Sequence, residues 1–223
     1  MLAKEAIYRA VYGYLVSEDG KESVDAAISG WDGADALGEG RAALTGLCAR
    51  LREDMAEEAA GKAGREGALR AMKAVIKNAR GDAFRGAFMH GGMQCVSDGY
   101  RAICLREPLG LPEAGGAPAI GDAVEGARLG CTRPLELPGI GELAASVALH
   151  RAEMKARHGK RWASFPASHD FGEGGPLVNA QYLLDIMGAL PDASAAWDGL
   201  HTVLFEAAAG EAVLMACPRP QEG

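Results

Sequence analysis

Aromatic side chains make up only 6% of the 223 residues, and no uninterrupted apolar run comes near the ~20 residues needed to cross a bilayer as a helix. The longest runs, such as Val203–Phe205 and Ala212–Cys217, are a handful of residues, which excludes a transmembrane role. The five cysteines, Cys48, Cys95, Cys104, Cys131 and Cys217, form no C-x-x-C pair, so neither a zinc knuckle nor a thioredoxin-type motif is available, and they read as buried reduced thiols. No Walker A or dinucleotide fingerprint occurs, because Gly91-Gly92 bridges two strand-like runs with no helix behind it. No Gly-x-Ser-x-Gly elbow occurs either. A cationic excess is also missing: the net charge is −7, which excludes a wholly basic polyanion binder but leaves room for one basic face. Lys4, Glu5 and Arg9 stand where a signal peptide would be apolar, so the expected location is cytoplasmic.

What the chain has in abundance is small residues: 43 alanines and 31 glycines. With 48% hydrophobic and 24% charged residues spread along its length, it reads as globular rather than disordered. Residues 1–64 are expected to be a helical N-terminal extension. A first helix covers Lys4–Val16, Trp31 and its neighbours form a loop, and residues 41–60 place Leu44, Leu47, Cys48, Leu51 and Met55 on one helical face.

From Glu66 a helix carries Leu69, Met72 and Ile76 beside a basic edge of Arg70, Lys73, Lys77 and Arg80. Three short strands follow, Phe84–His90, Met93–Ser97 and Tyr100–Arg106, with Asp98-Gly99 expected as a two-residue type I′ turn. Residues 107–140 hold Pro108, Pro112, Pro118, Pro134 and Pro138 and read as an irregular connection with at most short strands. An extra helix is expected over 141–160, where Arg151, Lys155, His158 and Arg161 make a second basic edge. Asn179 then caps a helix bearing Leu183, Ile186, Met187 and Leu190, which Pro191 stops. Strands follow at 194–197, 201–206 and 211–217. Segments 66–106 and 178–218 thus have the same α-β-β-β order, implying one α+β domain over 65–223 made of two pseudo-repeated units.

Three stretches resemble the bacterial sliding clamp, the beta subunit of DNA polymerase III. Ala68-Leu-Arg-Ala-Met-Lys-Ala-Val with Phe84-Arg-Gly-Ala-Phe is similar to the helix and first strand of a clamp unit. Ser97-Asp-Gly-Tyr-Arg101 is similar to the family's Thr-Asp-Gly-His-Arg turn. Val178-Asn-Ala-Gln-Tyr-Leu-Leu-Asp-Ile-Met and Ala212-Val-Leu-Met-Ala-Cys-Pro-Arg219 resemble its Phe-Asn-x-Lys-Tyr-Leu-Leu-Asp-Ala helix and its closing strand ending Met-Pro-x-Arg. The likeness spans roughly 66–106 and 177–220.

The resemblance implies a non-enzymatic, replication-associated accessory or binding module, with a mobile element as one source, holding material for a single clamp domain and so unable to close a ring alone. Together with the two basic edges read from the spacing, it leads to an expectation of sequence-independent contact with double-stranded DNA through Arg70, Lys73, Lys77, Arg80, Arg151, Lys155 and Arg161. It also implies a pocket for peptide tails of replication proteins, involving Ser97, Gly99, Tyr100, Arg101, Met215 and Pro218. The alternative is a protein-interaction module that kept the fold without binding DNA. A small hydrolase within 107–175 is a third class. His169, Asp170 and Glu173 read as a surface turn rather than metal ligands, Asp98 is explained by its turn, and His150, Trp162, Trp197 and Phe171 read as core. No cofactor or metal is expected.

Overall fold

A computed structural model describes residues 53–79, 81, 84–114 and 121–219, together with the single residues Gly13, Ser17 and Gly46. The expected helix over Lys4–Val16, the Trp31 loop, the first half of the 41–60 helix, Cys48 and Arg80 lie outside the described residues. The chain divides into two compact units, one of residues 1–63 with Leu109–Pro112, the other of Gly64–Pro108 with Glu113–Gly223. In the first, residues 53–62 are helical, with Ala56 and Ala60 buried at i, i+4 and Glu53 and Glu57 outward. Leu109 and Leu111 of the same unit are buried too.

The second unit is mixed α+β. Helix α1 (Glu66–Asn78) precedes strands β1 (Phe88–His90), β2 (Met93–Ser97) and β3 (Arg101–Leu105). Helix α2 (Gly121–Gly130), strand β4 (Arg133–Leu135), helix α3 (Ile140–His158) and a 3₁₀ turn (Gly159–Ser164) come next. Strands β5 (Ser168–Asp170) and β6 (Leu177–Asn179) lead into α4 (Ala180–Ala189), and β7 (Ser194–Trp197), β8 (Thr202–Ala207) and β9 (Gly210–Met215) close the unit. Seven strands form one antiparallel sheet in the order β1-β2-β3-β9-β8-β7-β4, and β5 and β6 form a separate hairpin. The two α-β-β-β runs therefore share a sheet and meet where β3 pairs with β9, Ile103 opposite Ala212.

Every residue of β2 and β3 is buried, because both faces of the sheet are covered. On one face Cys95, Ala102, Cys104, Leu204 and Val213 pack with Val124, Ala127 and Cys131 from α2 and its end. Strand side chains alternate, so Val96, Ile103, Phe205 and Leu214, all fully buried, point to the other face. There α1 and α4 pack on each other and on β3. Leu69, Met72 and Val75 of α1 and Leu183, Ile186 and Met187 of α4 are buried. Val75 rather than Ile76 is the deep α1 residue. The two helices approach closely where Gly67 faces Gly188: a Cβ on Gly67 would land on the Gly188 carbonyl oxygen.

Three local signals act as the sequence predicts. Gly91 and Gly92 both take positive φ (56° and 79°), as a two-residue type I′ hairpin requires. The Asn179 Oδ1 accepts from the Gln181 and Tyr182 amides at 3.0 and 3.1 Å, satisfying free N–H groups at the start of α4. That helix ends two residues before Pro191.

Two expectations are corrected. Residues 107–140 are not irregular apart from short strands, since they contain helix α2; the short strand β4 fits the expectation, and its Pro134 is tolerated because β4 is an edge strand, where a missing N–H costs no ladder bond. The β2–β3 turn is centred on Gly99-Tyr100, not Asp98-Gly99. The Asp98 amide donates to the Arg101 carbonyl at 3.3 Å, and only Gly99 has positive φ (89°), so the turn is not type I′.

Candidate functional site

The β2–β3 turn is built by its own side chains. Ser97 Oγ donates to the Arg101 carbonyl at 2.9 Å and accepts from the Gly99 amide at 3.1 Å. Asp98 Oδ1 accepts from the Tyr100 and Arg101 amides at 3.0 and 3.1 Å. Its other oxygen takes Arg101 Nε at 3.0 Å. Ser97 and Asp98 are thus committed to building the turn.

Arg101 lies on the face of β3 that α4 covers and has no solvent-exposed side-chain surface. Its Nη1 reaches Asp185 Oδ2 of α4 at 2.6 Å, and its guanidinium stacks 4.0 Å above the Tyr182 ring. Nη2 is buried with no hydrogen-bond partner. Asp185 accepts in turn from Gln181 Nε2 at 2.8 Å, and Gln181 accepts from Arg151 of α3 at 3.0 Å. The chain Asp98–Arg101–Asp185–Gln181–Arg151 ties a turn of the first α-β-β-β run to two helices that follow it.

The remaining residues assigned to a peptide pocket divide accordingly. Tyr100 is 51% exposed and Met215 45% exposed, and the Met215 amide donates to the Tyr100 carbonyl at 2.9 Å, so these two are adjacent at the end of β9. On the far side of β9, Met215 pairs with Thr202 and the Ala216 amide donates to His201, next to the turn that holds Leu200 71% exposed. Pro218 is exposed beyond the strand. Tyr100, Met215 and Leu200 are thus three exposed apolar residues near neighbouring strand ends. Ser97 and Arg101 are buried, and Arg101 lies on the face that α4 covers, so it contributes no charge to these exposed residues. Leu200 was missed in the sequence, although Asp198-Gly199 is a turn signal and a residue after it stands outward.

Of the residues assigned to DNA, Arg70 and Lys77 are exposed on α1, Lys73 is half-buried, and Arg80 lies outside the described residues. Arg151 and Lys155 on α3 and Arg161 on the 3₁₀ turn are exposed. Helices α1 and α3 both pack on α4, which itself has no exposed residue. Sequence reasoning missed Arg157 and Lys160, exposed beside Lys155 and Arg161, though the run Lys-Ala-Arg-His-Gly-Lys-Arg spells them out.

Among the described residues no helix is long and apolar enough to cross a membrane, and no group of three or more His, Cys, Asp or Glu is placed to hold a metal. Asp170 is held instead by Arg219, whose Nη2 and Nη1 donate to its two oxygens at 2.7 and 3.0 Å, while Nη2 also reaches the Gly172 and Gly175 carbonyls. That pairing, with the Gly172 amide, lowers the Asp170 carboxyl below its ordinary value, and burial lowers the pKa of the His169 imidazole. No family model, curated protein or solved structure matches the chain.

Proposed function

We propose that the chain is a non-enzymatic, clamp-like binding module that associates with double-stranded DNA during replication. The observation that carries this reading is the meeting of two α-β-β-β runs at β3 and β9 with their helices packed together on one face of the sheet. Arg70 and Lys77 of α1, Arg151 and Lys155 of α3 and Arg161 just after it are exposed, on or next to helices that pack on α4, and would act on phosphates by displacing counterions, without base readout. The test is the mass in solution, by size-exclusion chromatography with light scattering, with and without a short duplex at ~50 mM salt, where phosphate contacts are strongest. A complex that Arg70→Glu/Lys77→Glu abolishes supports the reading; a mass unchanged by duplex overturns its DNA half.

A second reading, a protein-interaction module on the same fold, draws support from the exposed apolar residues Tyr100, Met215 and Leu200. It fits a short hydrophobic peptide tail without a charge contact from Arg101. Tyr100→Ala and Met215→Ala should leave stability within about 0.5 kcal/mol while removing any such binding.

A further inference from the structure

Residues 150–162 hold five of the chain's 23 Lys and Arg residues and one of its 30 Asp and Glu residues, so a protein of net charge −7 carries a positive corner there. Structurally the corner is the C-terminal half of α3 and the 3₁₀ turn that follows. Lys155, Arg157, Lys160 and Arg161 are all exposed, and among the described residues none has a carboxylate partner. Cations at a helix C-terminus compensate its dipole, but that effect reaches only the last turn. Lys160 and Arg161 lie beyond it.

Aromatic rings stand among these charges. Trp162 is half-buried with Arg151 and Lys155 over its ring, 5.6 and 5.1 Å from the centroid. Phe165, 42% exposed, stacks on His158 with centroids 4.0 Å apart and an interplanar angle of 21°. His150 Nε2 lies 2.9 Å from the Phe165 carbonyl and fixes the segment against α3.

From this juxtaposition we propose that the α3 C-terminus and the 3₁₀ turn form a binding site for single-stranded nucleic acid, with Lys155, Arg157, Lys160 and Arg161 on phosphates and a base stacked beside the Phe165–His158 pair. Single strands present both a phosphate charge and an open base face, and sequence-tolerant binding by cations interleaved with aromatics is the expected mode. A duplex hides its base faces, so the rings would add nothing to it. An anionic bilayer needs a continuous apolar face below the cations. Here the exposed apolar residues of α3, Ile140 and Leu149, lie outside the cationic run. The inference shares Lys155 and Arg161 with the duplex reading, but it rests on Arg157, Lys160 and Phe165, which that reading does not use, and on nothing in α1.

The test is fluorescence anisotropy of the full chain with a labelled oligothymidylate of roughly 20 nucleotides and a duplex of equal length at ~50 mM salt. We expect the single strand to bind with a log–log salt slope of about −2 to −3, as neutralising three or four phosphates requires. Arg157→Glu/Lys160→Glu removes two exposed, unpaired cations and should weaken binding at least tenfold, by analogy with ~tenfold per lost charge-assisted contact. Phe165→Leu, which keeps an apolar side chain under His158, should weaken single-strand binding about fivefold or more and leave duplex binding unchanged. Arg70→Glu/Lys77→Glu, the variant that tests the duplex reading, should leave oligothymidylate binding intact, so failures of the two ideas are told apart. No oligothymidylate binding, equal affinity in the Arg157/Lys160 variant, or capture only by phosphatidylserine vesicles overturns the proposal.

Discussion

Arg101 and Asp185 stand 84 positions apart in the chain and 2.6 Å apart in the fold, Nη1 to Oδ2, with the arginine wholly withdrawn from water. The pair fastens β3 to α4. A buried arginine between two carboxylates is a conditional asset: whole, it fixes one arrangement, while removal of one member strands a charge.

Arg101→Met keeps most of the side-chain volume and leaves Asp98 and Asp185 without their cation. The expected loss is about 3–5 kcal/mol, seen as a lower urea midpoint. Adding Asp185→Leu should recover part of it; a single variant with an unchanged midpoint shows that the pair does not hold the two elements together.

Arg219 should make the loop between β5 and β6 pH-dependent. Asp170 has its carboxyl lowered from 3.8, first by the Arg219 hydrogen bond. The contribution is therefore full above the unfolded value and disappears as the pH falls through the lower, folded value. Arg219→Ala should raise the Asp170 titration midpoint followed by NMR and speed amide exchange at residues 170–177 at neutral pH, with the seven-stranded sheet unaffected. Equal exchange rates in both proteins would dismiss this tie.

Gly67→Ala places a methyl on the Gly188 carbonyl oxygen, backbone against backbone, where no rotamer can give way. Overpacking of this kind costs roughly 1–3 kcal/mol. Gly64→Ala is a poor control because Gly64 has positive φ; Gly126→Ala, which meets nothing within 4 Å, should be neutral or mildly stabilising in the same thermal melt.

Thiol labelling should discriminate among the described cysteines. Cys95 and Cys104 face each other across β2 and β3, and the Cys95 hydrogen bond together with burial pushes the Cys104 thiol upward. Cys131 is buried and donates to the Thr202 carbonyl. Cys217 is half-buried. Native-state alkylation at pH ~8, read by peptide mass mapping, should therefore mark Cys217 well before the other three, since only the thiolate reacts and access is required. Faster labelling of Cys104 would contradict the packing of β3 under α2.

Legibility followed the strength of local signals. Strands β2 and β7 match their expected limits because dense β-formers or a turn bracket each one, and α3 matches within a residue of its start. The capping Asn179 and the Gly91-Gly92 hairpin are chemistry written in two residues. Helix α2 was hidden because prolines and glycines surround it and Val124 and Ala127 are its deepest apolar anchors. Arg101 beside a turn reads as a surface cation. Only the alternation of β3, which puts it on the Ile103 side, hints at burial, and its partner Asp185 is fixed by tertiary pairing that no local pattern encodes.

The junction of β3 with β9 also bears on how the chain is made. Arg106, just past β3, donates to the carbonyl of Ala207, 101 positions later. At roughly 5–20 residues per second, β3 emerges from the ribosome several seconds before the strand that closes its edge. During that interval the first α-β-β-β run presents one unpaired edge of the five-residue strand β3, including Ile103 and Leu105, to whatever else is in solution. Nascent chains are thus exposed to mispairing at one defined edge, and slowing translation between β3 and β9 lengthens that exposure.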